Sequence, residues 1–203
     1  KNGIYSLEMK INGIRHYYHD VETFSFSESK FINLLIDYEY YSKYKSRIQK
    51  TFREKENKLS IYKDLIEEGG ITINEGLNYQ VEIIAKDFIG NSSSLKIPVV
   101  GLKSESILNQ ERDTTAYKIV KKEFQKFSKN GVTIAFPKNT FYKDLFLNFS
   151  VNDRIATIHK PIIPLDKKFT ITFDSIMYKK SEVNHIYIAN MNNKKYPYYM
   201  DTR

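Results

Sequence analysis

The chain has 203 residues, of which 41% are hydrophobic, 14% aromatic and 28% charged, and its formal net charge is +8. This apolar content can offset the conformational entropy of folding, so disorder is excluded as the bulk state. The absence of cysteine excludes disulfides, thiolate metal sites and a cysteine nucleophile, and no apolar run reaches the roughly 20 residues of a membrane-spanning helix.

A β-hairpin is predicted at the start of the chain. Apolar residues alternate with polar ones over residues 4–11, which is typical of a strand with one buried face. Asn12-Gly13 supplies the two positive-φ positions of a type I′ turn. The chain then returns as a second strand over residues 14–18.

A second hairpin is predicted over residues 79–99. The same alternation precedes and follows a turn at residues 87–91. Pro98 has no backbone N–H group, so its strand should lie at a sheet edge or turn the proline away from the ladder. The two hairpins together predict an inward-facing apolar set of Tyr5, Leu7, Met9, Val81, Ile83, Leu95 and Ile97.

The stretch between the hairpins is polar and aromatic. A short helical turn is predicted around residues 30–36, and residues 47–52 are compatible with a strand. Residues 62–66 precede Gly69-Gly70, a pattern that suggests a single helical turn closed by glycine.

A polar segment divides the chain. We interpret residues 103–115 as a linker between a domain at 1–102 and a second domain at 116–203. The apolar spacing of three and four over residues 117–127 favours an amphipathic helix. The rest of the second domain shows short alternating runs at residues 132–136, 145–151, 169–173 and 186–188. The predicted fold class is therefore all-β, with two tandem antiparallel β-sandwich domains.

Potential metal ligands crowd together only at residues 16–20. His16 and Asp20 have the H-x-x-x-D spacing that some zinc peptidases use, and His19 lies between them. Residues 16 and 19 of one strand point to opposite faces unless a bulge intervenes. His159 and His185 lie in no H-x-H motif that would complete a zinc site. We therefore predict no metal site and no catalytic residue, and keep a zinc hydrolase around His16, His19 and Asp20 as an alternative.

Other catalytic patterns are weaker still. There is no G-x-S-x-G motif, and the serines at residues 92–94 lie in a hairpin flank. Glu67 and Glu68 lie beside Gly69-Gly70 at an exposed end, whereas a carboxylate dyad needs burial to separate its pKa values. No cofactor is therefore predicted for this chain.

A tyrosine-rich cluster is the feature most like a binding surface. Tyrosine supplies stacking area with a polar tip, which suits a sugar ring or a protein partner. The alternative is that the rings cover the end of the first domain. The candidate residues are Tyr38, Tyr40, Tyr41, Lys43, Tyr44 and Arg47.

The excess of positive charge is spread along the whole chain, mostly as lysine. A zinc finger, a basic helix and the aromatic-basic signature of an RNA-binding sheet are all missing. The charge thus favours a solvated surface over a nucleic-acid groove. Non-specific binding to a polyanion stays open as an alternative and would weaken steeply with salt.

An ordered set of short segments carries a family resemblance. The chain resembles the non-catalytic region that follows the peptidase domain of M23-family (LytM-like) envelope metallopeptidases of the Bacteroidetes type. The resemblance implies that the first sandwich is Ig-like and that residues 116–127 are extended rather than helical. The segments are residues 3–8, 24–28, 36–38, 47–50, 59–62, 81–87 and 90–92, followed by 136–142, 158–161 and 164–165.

The resemblance also implies a function. The family's zinc ligands belong to a separate catalytic domain, so none transfers to a position here, and the spacing of His16 and Asp20 is coincidental. We expect an accessory or scaffold region of a periplasmic or surface-exposed protein that positions its own catalytic domain or an envelope protein or glycan. A glycan- or protein-binding adhesion module is the alternative. Because the chain opens at Lys1, we expect it to be a piece of a longer protein. The family's region usually continues further, so the resemblance implies that the second sandwich lacks its last strands here.

Overall fold

The protein is described by a computed structural model over residues 3–23, 25–103, 114–153, 155–174, 179, 181, 188–191 and 199–200. It divides into two compact units. The first unit holds the residues up to Thr114 together with Phe141–Asp144 and Lys160–Asp166. The second unit holds Thr115–Thr140, Leu145–His159 and the residues from Lys167 onward.

Strands dominate both units, which confirms the all-β prediction. The first unit contains β1 (Ser6–Ile11), β2 (Ile14–Asp20), β3 (Tyr62–Leu65), β4 (Asn78–Lys86) and β5 (Ser92–Val100). Its helices are α1 (Ile32–Leu35), α2 (Tyr38–Tyr44) and the 3₁₀ turns Phe26–Phe31 and Glu67–Gly69. The second unit contains β6 (Tyr117–Ile119), β7 (Gln125–Lys129), β8 (Val132–Phe136), β9 (Leu145–Leu147), β10 (Phe149–Asn152), β11 (Ile155–Ile158), β12 (Thr170–Phe173), β13 (Ile188–Ala189) and β14 (Tyr199–Met200).

The first unit is built on one antiparallel sheet in the order β3-β2-β1-β4-β5. The first predicted hairpin is confirmed, with Asn12 and Gly13 both at positive φ between β1 and β2. The second is confirmed as β4 paired with β5. Asp87 Oδ1 accepts hydrogen bonds from the backbone N–H groups of Ile89 and Asn91, and its hydrogen bonds to Asn91 lower the pKa of the Asp87 carboxyl.

β5 forms one edge of this sheet, as Pro98 predicted. The pair of Leu77 with Gly101 is hydrogen-bonded, since Gly101 N–H donates to Leu77 C=O over 2.9 Å. Hydrogen-bonded and non-bonded pairs alternate along an antiparallel ladder. The pair of Gln80 with Pro98 is therefore a non-bonded one, and the proline nitrogen faces the open edge.

The buried core of this unit lies on one half of the sheet. Leu7, Met9, Tyr17 and Val81 form a buried cluster. Of the predicted inward set, Tyr5 and Ile83 are only half-buried, and Leu95 and Ile97 are exposed. The prediction that Leu95 and Ile97 are buried is wrong because no element of the described chain covers β5 on that face. A second sheet packed on this one is also not seen among the described residues, so the Ig-like sandwich stays a prediction.

A segment between β2 and β3 covers the half of the sheet that holds this core. This covering segment, residues 25–57, contains α1 as the predicted short helical turn. The predicted strand over residues 47–52 is reduced to one bridge between Ile36 and Gln49. The helical turn predicted for residues 62–66 is wrong, because Tyr62–Leu65 pairs with β2 and gains ladder hydrogen bonds that a single helical turn cannot supply.

The second unit consists of small antiparallel sheets, of which the largest among the described residues has the order β12-β8-β7. The helix predicted over residues 117–127 is wrong: residues 117–119 and 125–127 are extended, as the family resemblance implied, and a turn joins them. Of the apolar residues at helical spacing, Tyr117 lies in β6 and Phe127 in β7, whereas Val120 and Phe124 lie between the two strands. The Tyr117 and Phe127 rings contact edge to face, with their centroids 5.4 Å apart. The predicted strands at 132–136 and 169–173 are confirmed as β8 and β12, and the one at 145–151 is divided into β9 and β10.

The domain boundaries remain a prediction. Of the linker at 103–115, residues 104–113 lie outside the described residues, as do residues 186 and 187 of the strand predicted at 186–188. The loops Phe141–Asp144 and Lys160–Asp166 group with the first unit, although the sequence assigned them to the second domain. No single cut in the chain therefore separates the two units.

Candidate binding surface

The tyrosine cluster lies on α2, whose two ends are determined by capping. The Asp37 carboxylate accepts a hydrogen bond from Tyr40 N–H over 2.9 Å at the first turn. Lys45 adopts left-handed backbone angles at the other end, and its N–H donates to Tyr41 C=O. Both are standard ways to satisfy the unpaired backbone groups of helix ends, so seven residues suffice to hold the helix.

The tyrosine rings contact one another along this helix. Tyr40 and Tyr44 are four residues apart and their ring centroids lie 4.6 Å from each other. Tyr38 and Tyr41 are three apart, with centroids at 6.3 Å. Tyr44 is 55% exposed and Tyr40 37%, so this pair presents apolar ring area to solvent.

Cations lie over the same rings. The Lys43 ammonium is 5.0 Å from the centroid of Tyr44. Tyr41 has two cations in reach, Lys45 at 5.6 Å and the Arg47 guanidinium at 5.4 Å. Cation–π contacts at exposed sites stabilise such an arrangement by about 0.5–1 kcal/mol each. We call Tyr40, Tyr41, Lys43, Tyr44, Lys45 and Arg47 the α2 surface.

The six residues that the sequence singled out thus lie on α2 and the turn that follows it. One of them has a different role: Tyr38 lines a groove on the first unit rather than the α2 surface. Lys45, which the sequence places between Lys43 and Arg47 in the same basic run, belongs to this surface as well. Whether ligands bind here stays a prediction.

Polar contacts anchor α2 to the first unit. The Ser42 hydroxyl donates to Pro161 C=O over 2.6 Å. Asp37 N–H donates to Ile48 C=O, and Lys50 N–H donates to Leu35 C=O. The residues before and after α2 are therefore tied together at its base, which fixes the direction in which the surface points.

A buried relay of hydrogen bonds connects this base to the sheet. Gln49 Nε2 lies 3.0 Å from His19 Nε2, His19 Nδ1 lies 2.9 Å from the Tyr17 hydroxyl, and that hydroxyl donates to Lys50 C=O over 3.2 Å. All donors and acceptors match if the Gln49 amide donates to His19 and a neutral His19 donates from Nδ1 to Tyr17. The covering segment is therefore joined to β2 by a satisfied polar network.

Burial keeps this relay uncharged. His19 and Tyr17 are both 0% exposed. Desolvation lowers the pKa of His19 to about 4, against a small opposing effect of Asp20. Desolvation also raises the pKa of Tyr17, and that of Tyr62 to about 12. Neutral, fully partnered groups of this kind suit a structural role.

The geometry at residues 16–20 bears on the alternative of a zinc hydrolase around His16, His19 and Asp20. β1 pairs Met9 with Tyr17 but Lys10 with Arg15, so His16 occupies a β-bulge. Such a bulge could have let His16 and His19 converge. Both ring nitrogens of His19 are however engaged in the relay. No group of three or more His, Asp or Glu side chains that could hold a metal ion occurs in the part of the chain that the structure describes.

The remaining candidates are placed as follows. His159 lies in the second unit, where its Nδ1 accepts from Asn148 N–H, and His185 is outside the described residues. Glu67 and Glu68 have positive φ. Arg53 binds the Glu68 carboxylate through two nitrogens, and these hydrogen bonds lower the pKa of Glu68. Glu67 and Glu68 therefore belong to a turn, in which Glu68 is paired with Arg53.

Comparison with known proteins bears on the second half of the chain. Residues 116–201 match a Zu5-like domain. The Zu5-like match covers less than half of the chain and none of the α2 surface. No curated protein and no solved structure matches the chain. Among the described residues, no helix combines the length and the apolar character needed to cross a bilayer.

Proposed function

We propose that this chain is a non-catalytic binding and positioning region that docks a protein partner through the α2 surface. The observation that carries the proposal is the group of exposed tyrosine rings and cations on one anchored helix. Tyrosine and arginine are enriched at the energetically important positions of protein interfaces, because they combine a large contact area with hydrogen bonding.

The charge of the α2 surface indicates the chemistry of the partner. Lys43, Lys45 and Arg47 are exposed and have no ion-pair partner among the described residues. Their positive potential would steer an acidic surface toward the helix and disfavour a basic one. We therefore infer an acidic protein surface as the partner.

A glycan ligand is supported less well. Stacking of a sugar needs an open ring face, and the rings here already contact each other or a cation: Tyr44 contacts both Tyr40 and Lys43, and Tyr41 lies beneath Lys45 and Arg47. Glycan binding is kept as an outcome of the experiment below.

The wider setting of this function is also a proposal. The resemblance of residues 3–100 to the region after M23 catalytic domains supports a role in the cell envelope, where the chain would position its own catalytic domain or another envelope protein. The zinc of such a protein would belong to that separate domain. A stable sheet that presents an anchored helix suits positioning, because it holds a partner in one orientation.

A binding experiment with variants tests the proposal. Immobilised chain is exposed to bacterial envelope proteins and, separately, to purified peptidoglycan. We expect the unchanged chain to retain an acidic protein, and Tyr40→Ala/Tyr44→Ala and Lys43→Glu/Arg47→Glu to lose it with unchanged thermal unfolding. Phe124→Ala is the matched control, because Phe124 is 58% exposed and lies in the other unit.

Two outcomes would contradict the proposal. Equal retention by the variants and by the unchanged chain would remove the α2 surface from the interface. Loss of peptidoglycan rather than protein binding in the tyrosine variant would establish the glycan alternative.

A further inference from the structure

A groove of about 340 Å³ lies beside α2 on the first unit. All its lining residues belong to that unit, including those from the loops Phe141–Asp144 and Lys160–Asp166. Its volume is within the range of roughly 300–1,000 Å³ that is typical of ligand-binding clefts. The groove is therefore large enough for one long side chain and its neighbour.

The floor of the groove is apolar. Leu34 and Tyr142 are buried, and Ile162, Ile163 and Pro164 are half-buried beside them. The Tyr142 hydroxyl donates to Lys30 C=O over 3.0 Å, so its polar end already has a partner. The ligand should therefore carry an apolar group.

The rim of the groove is acidic, although the whole chain has a net charge of +8. Four carboxylates line it, Asp37, Glu39, Glu54 and Glu56, against the two ammonium groups of Lys50 and Lys143.

Two of these carboxylates are already engaged. Lys50 forms an ion pair with Glu54, and Asp37 caps α2. Glu39 and Glu56 have no hydrogen bond or ion pair among the described residues. The two lining carboxylates without a partner thus stand beside an apolar floor.

The groove is preformed because its walls are held by polar contacts. The Lys30 ammonium lies 2.7 Å from the Asp166 carboxylate, and Ser42 donates to Pro161 C=O over 2.6 Å. The Phe31 and Tyr142 rings also contact, with centroids 5.9 Å apart. Binding in a preformed groove costs little ordering of the protein.

We propose that this groove binds a basic-apolar segment of a partner protein, with an arginine or lysine side chain between Glu39 and Glu56 and an apolar neighbour on the floor. Charge complementarity selects the cation, and a guanidinium suits carboxylates best because it donates several hydrogen bonds in one plane. The apolar floor favours a peptide over a free amine, because a small amine leaves that floor in water.

This site is distinct from the α2 surface. An α-helix turns by about 100° per residue, so Tyr38 and Ser42, which face the groove and its loop, lie across the helix from Tyr40 and Tyr44. The two surfaces also have opposite charge and would bind opposite partners. The proposal therefore stands or fails separately from the proposed function.

NMR titration of the full isotope-labelled chain tests the proposal. The probe is N-acetyl-Leu-Arg-Leu-amide, and the same peptide with citrulline in place of arginine is the neutral isostere. We expect the arginine probe to shift the backbone amides of residues 34, 39 and 56, and to bind about tenfold more tightly than the citrulline peptide at low salt. Free arginine amide, which lacks the apolar neighbours, should bind more weakly than the probe.

Matched variants separate a specific site from general charge. Glu39→Gln/Glu56→Gln should weaken the arginine probe about tenfold. Glu75→Gln/Glu123→Gln makes the same change of net charge at two exposed residues outside the groove and should leave the affinity unchanged. Tyr40→Ala/Tyr44→Ala should also leave it unchanged.

Several results would overturn the proposal. These are equal binding of the arginine and citrulline peptides, an unchanged affinity in Glu39→Gln/Glu56→Gln, or shifts that occur elsewhere or not at all. Equally tight binding of free arginine amide would show that the groove holds a small cation and not a peptide.

Discussion

One row of side chains crosses the five-stranded sheet of the first unit and shows two environments. The row runs Leu65–Tyr17–Met9–Ile83–Leu95, each residue paired with the next across neighbouring strands. Tyr17 and Met9 are 0% and 2% exposed, Ile83 is half-buried, and Leu95 is 59% exposed. The same alternation of apolar residues thus gives a core at Tyr17 and Met9 and an open surface at the β5 end of the row.

The difference between the buried and the exposed part of this row shows what the alternation of apolar and polar residues determines. Period-2 spacing places side chains on one face of a sheet, but burial needs a second layer on that face. The covering segment supplies that layer over β2 and β3, through its hydrogen bonds to Tyr17 and His19. In the described chain nothing equivalent lies over β5.

The largest expected effect comes from comparing a charge at the buried middle of this row with a charge at its exposed end. Met9→Asp should destabilise the first unit by more than about 4 kcal/mol, because it buries an unpaired carboxylate. Leu95→Asp should cost less than about 1 kcal/mol, because its carboxylate stays in water. Ile83→Asp should lie between them. Urea unfolding followed by circular dichroism measures all three; equal losses for Met9 and Leu95 would show that β5 is covered as well.

Gly69 lies at a close contact between the covering segment and the sheet. Gly69 has φ +85°, and a Cβ there would lie 2.5 Å from Thr51 C=O and 2.9 Å from the Tyr17 ring. Gly69→Ala should therefore cost about 3 kcal/mol. Gly76→Ala is the control, since Gly76 has φ +75° but no heavy atom within 4 Å of its Cβ position; it should cost only about 1 kcal/mol. Equal changes in melting temperature would mean that the close approach is not rigid.

The buried relay predicts a loss of stability in acid. The pKa of His19 is about 4 in the folded chain and 6.5 in the unfolded one, so between these values the unfolded state binds more protons. The contribution of His19 to the free energy of unfolding is therefore fully present above pH 6.5. It falls by up to about 3 kcal/mol as the pH drops toward 4. Unfolding by urea at several pH values measures this slope. His19→Gln should flatten it, and an unchanged slope in that variant would assign it to other groups.

The smallest expected effect on stability concerns the open edge of β5. Pro98→Val should change the free energy of unfolding by less than about 0.5 kcal/mol, because the position already lacks a ladder hydrogen bond. It adds an outward N–H group to an exposed edge strand, so concentration-dependent association should increase. Light scattering at matched concentrations tests this, with Ser94→Thr on the same edge as the control. No difference between them would mean that Pro98 does not protect the edge.

Local signals predicted local structure well. Asn12-Gly13 predicted its hairpin because only certain residues adopt two successive positive φ values, and Pro98 predicted an edge. Tyr62–Leu65 was mispredicted as helical because a glycine pair can follow a strand as well as close a helical turn. Residues 117–127 were mispredicted because short apolar spacings fit either period until a pairing strand decides between them.

The two candidate sites also differ in how far the sequence could predict them. Because Tyr38 to Arg47 are close in sequence, their clustering could be predicted. The groove could not be predicted, since its floor combines Leu34 with Tyr142 and residues 162–164, which are more than a hundred positions away.

By itself, the sequence determined the all-β class and the two hairpins, because turn residues and alternation act within a few positions. Only the tertiary structure decided which half of the sheet became a core, that His19 is a neutral member of a relay, and that a groove forms beside α2. These depend on segments distant in the chain, whose packing sets the burial and partners of each side chain.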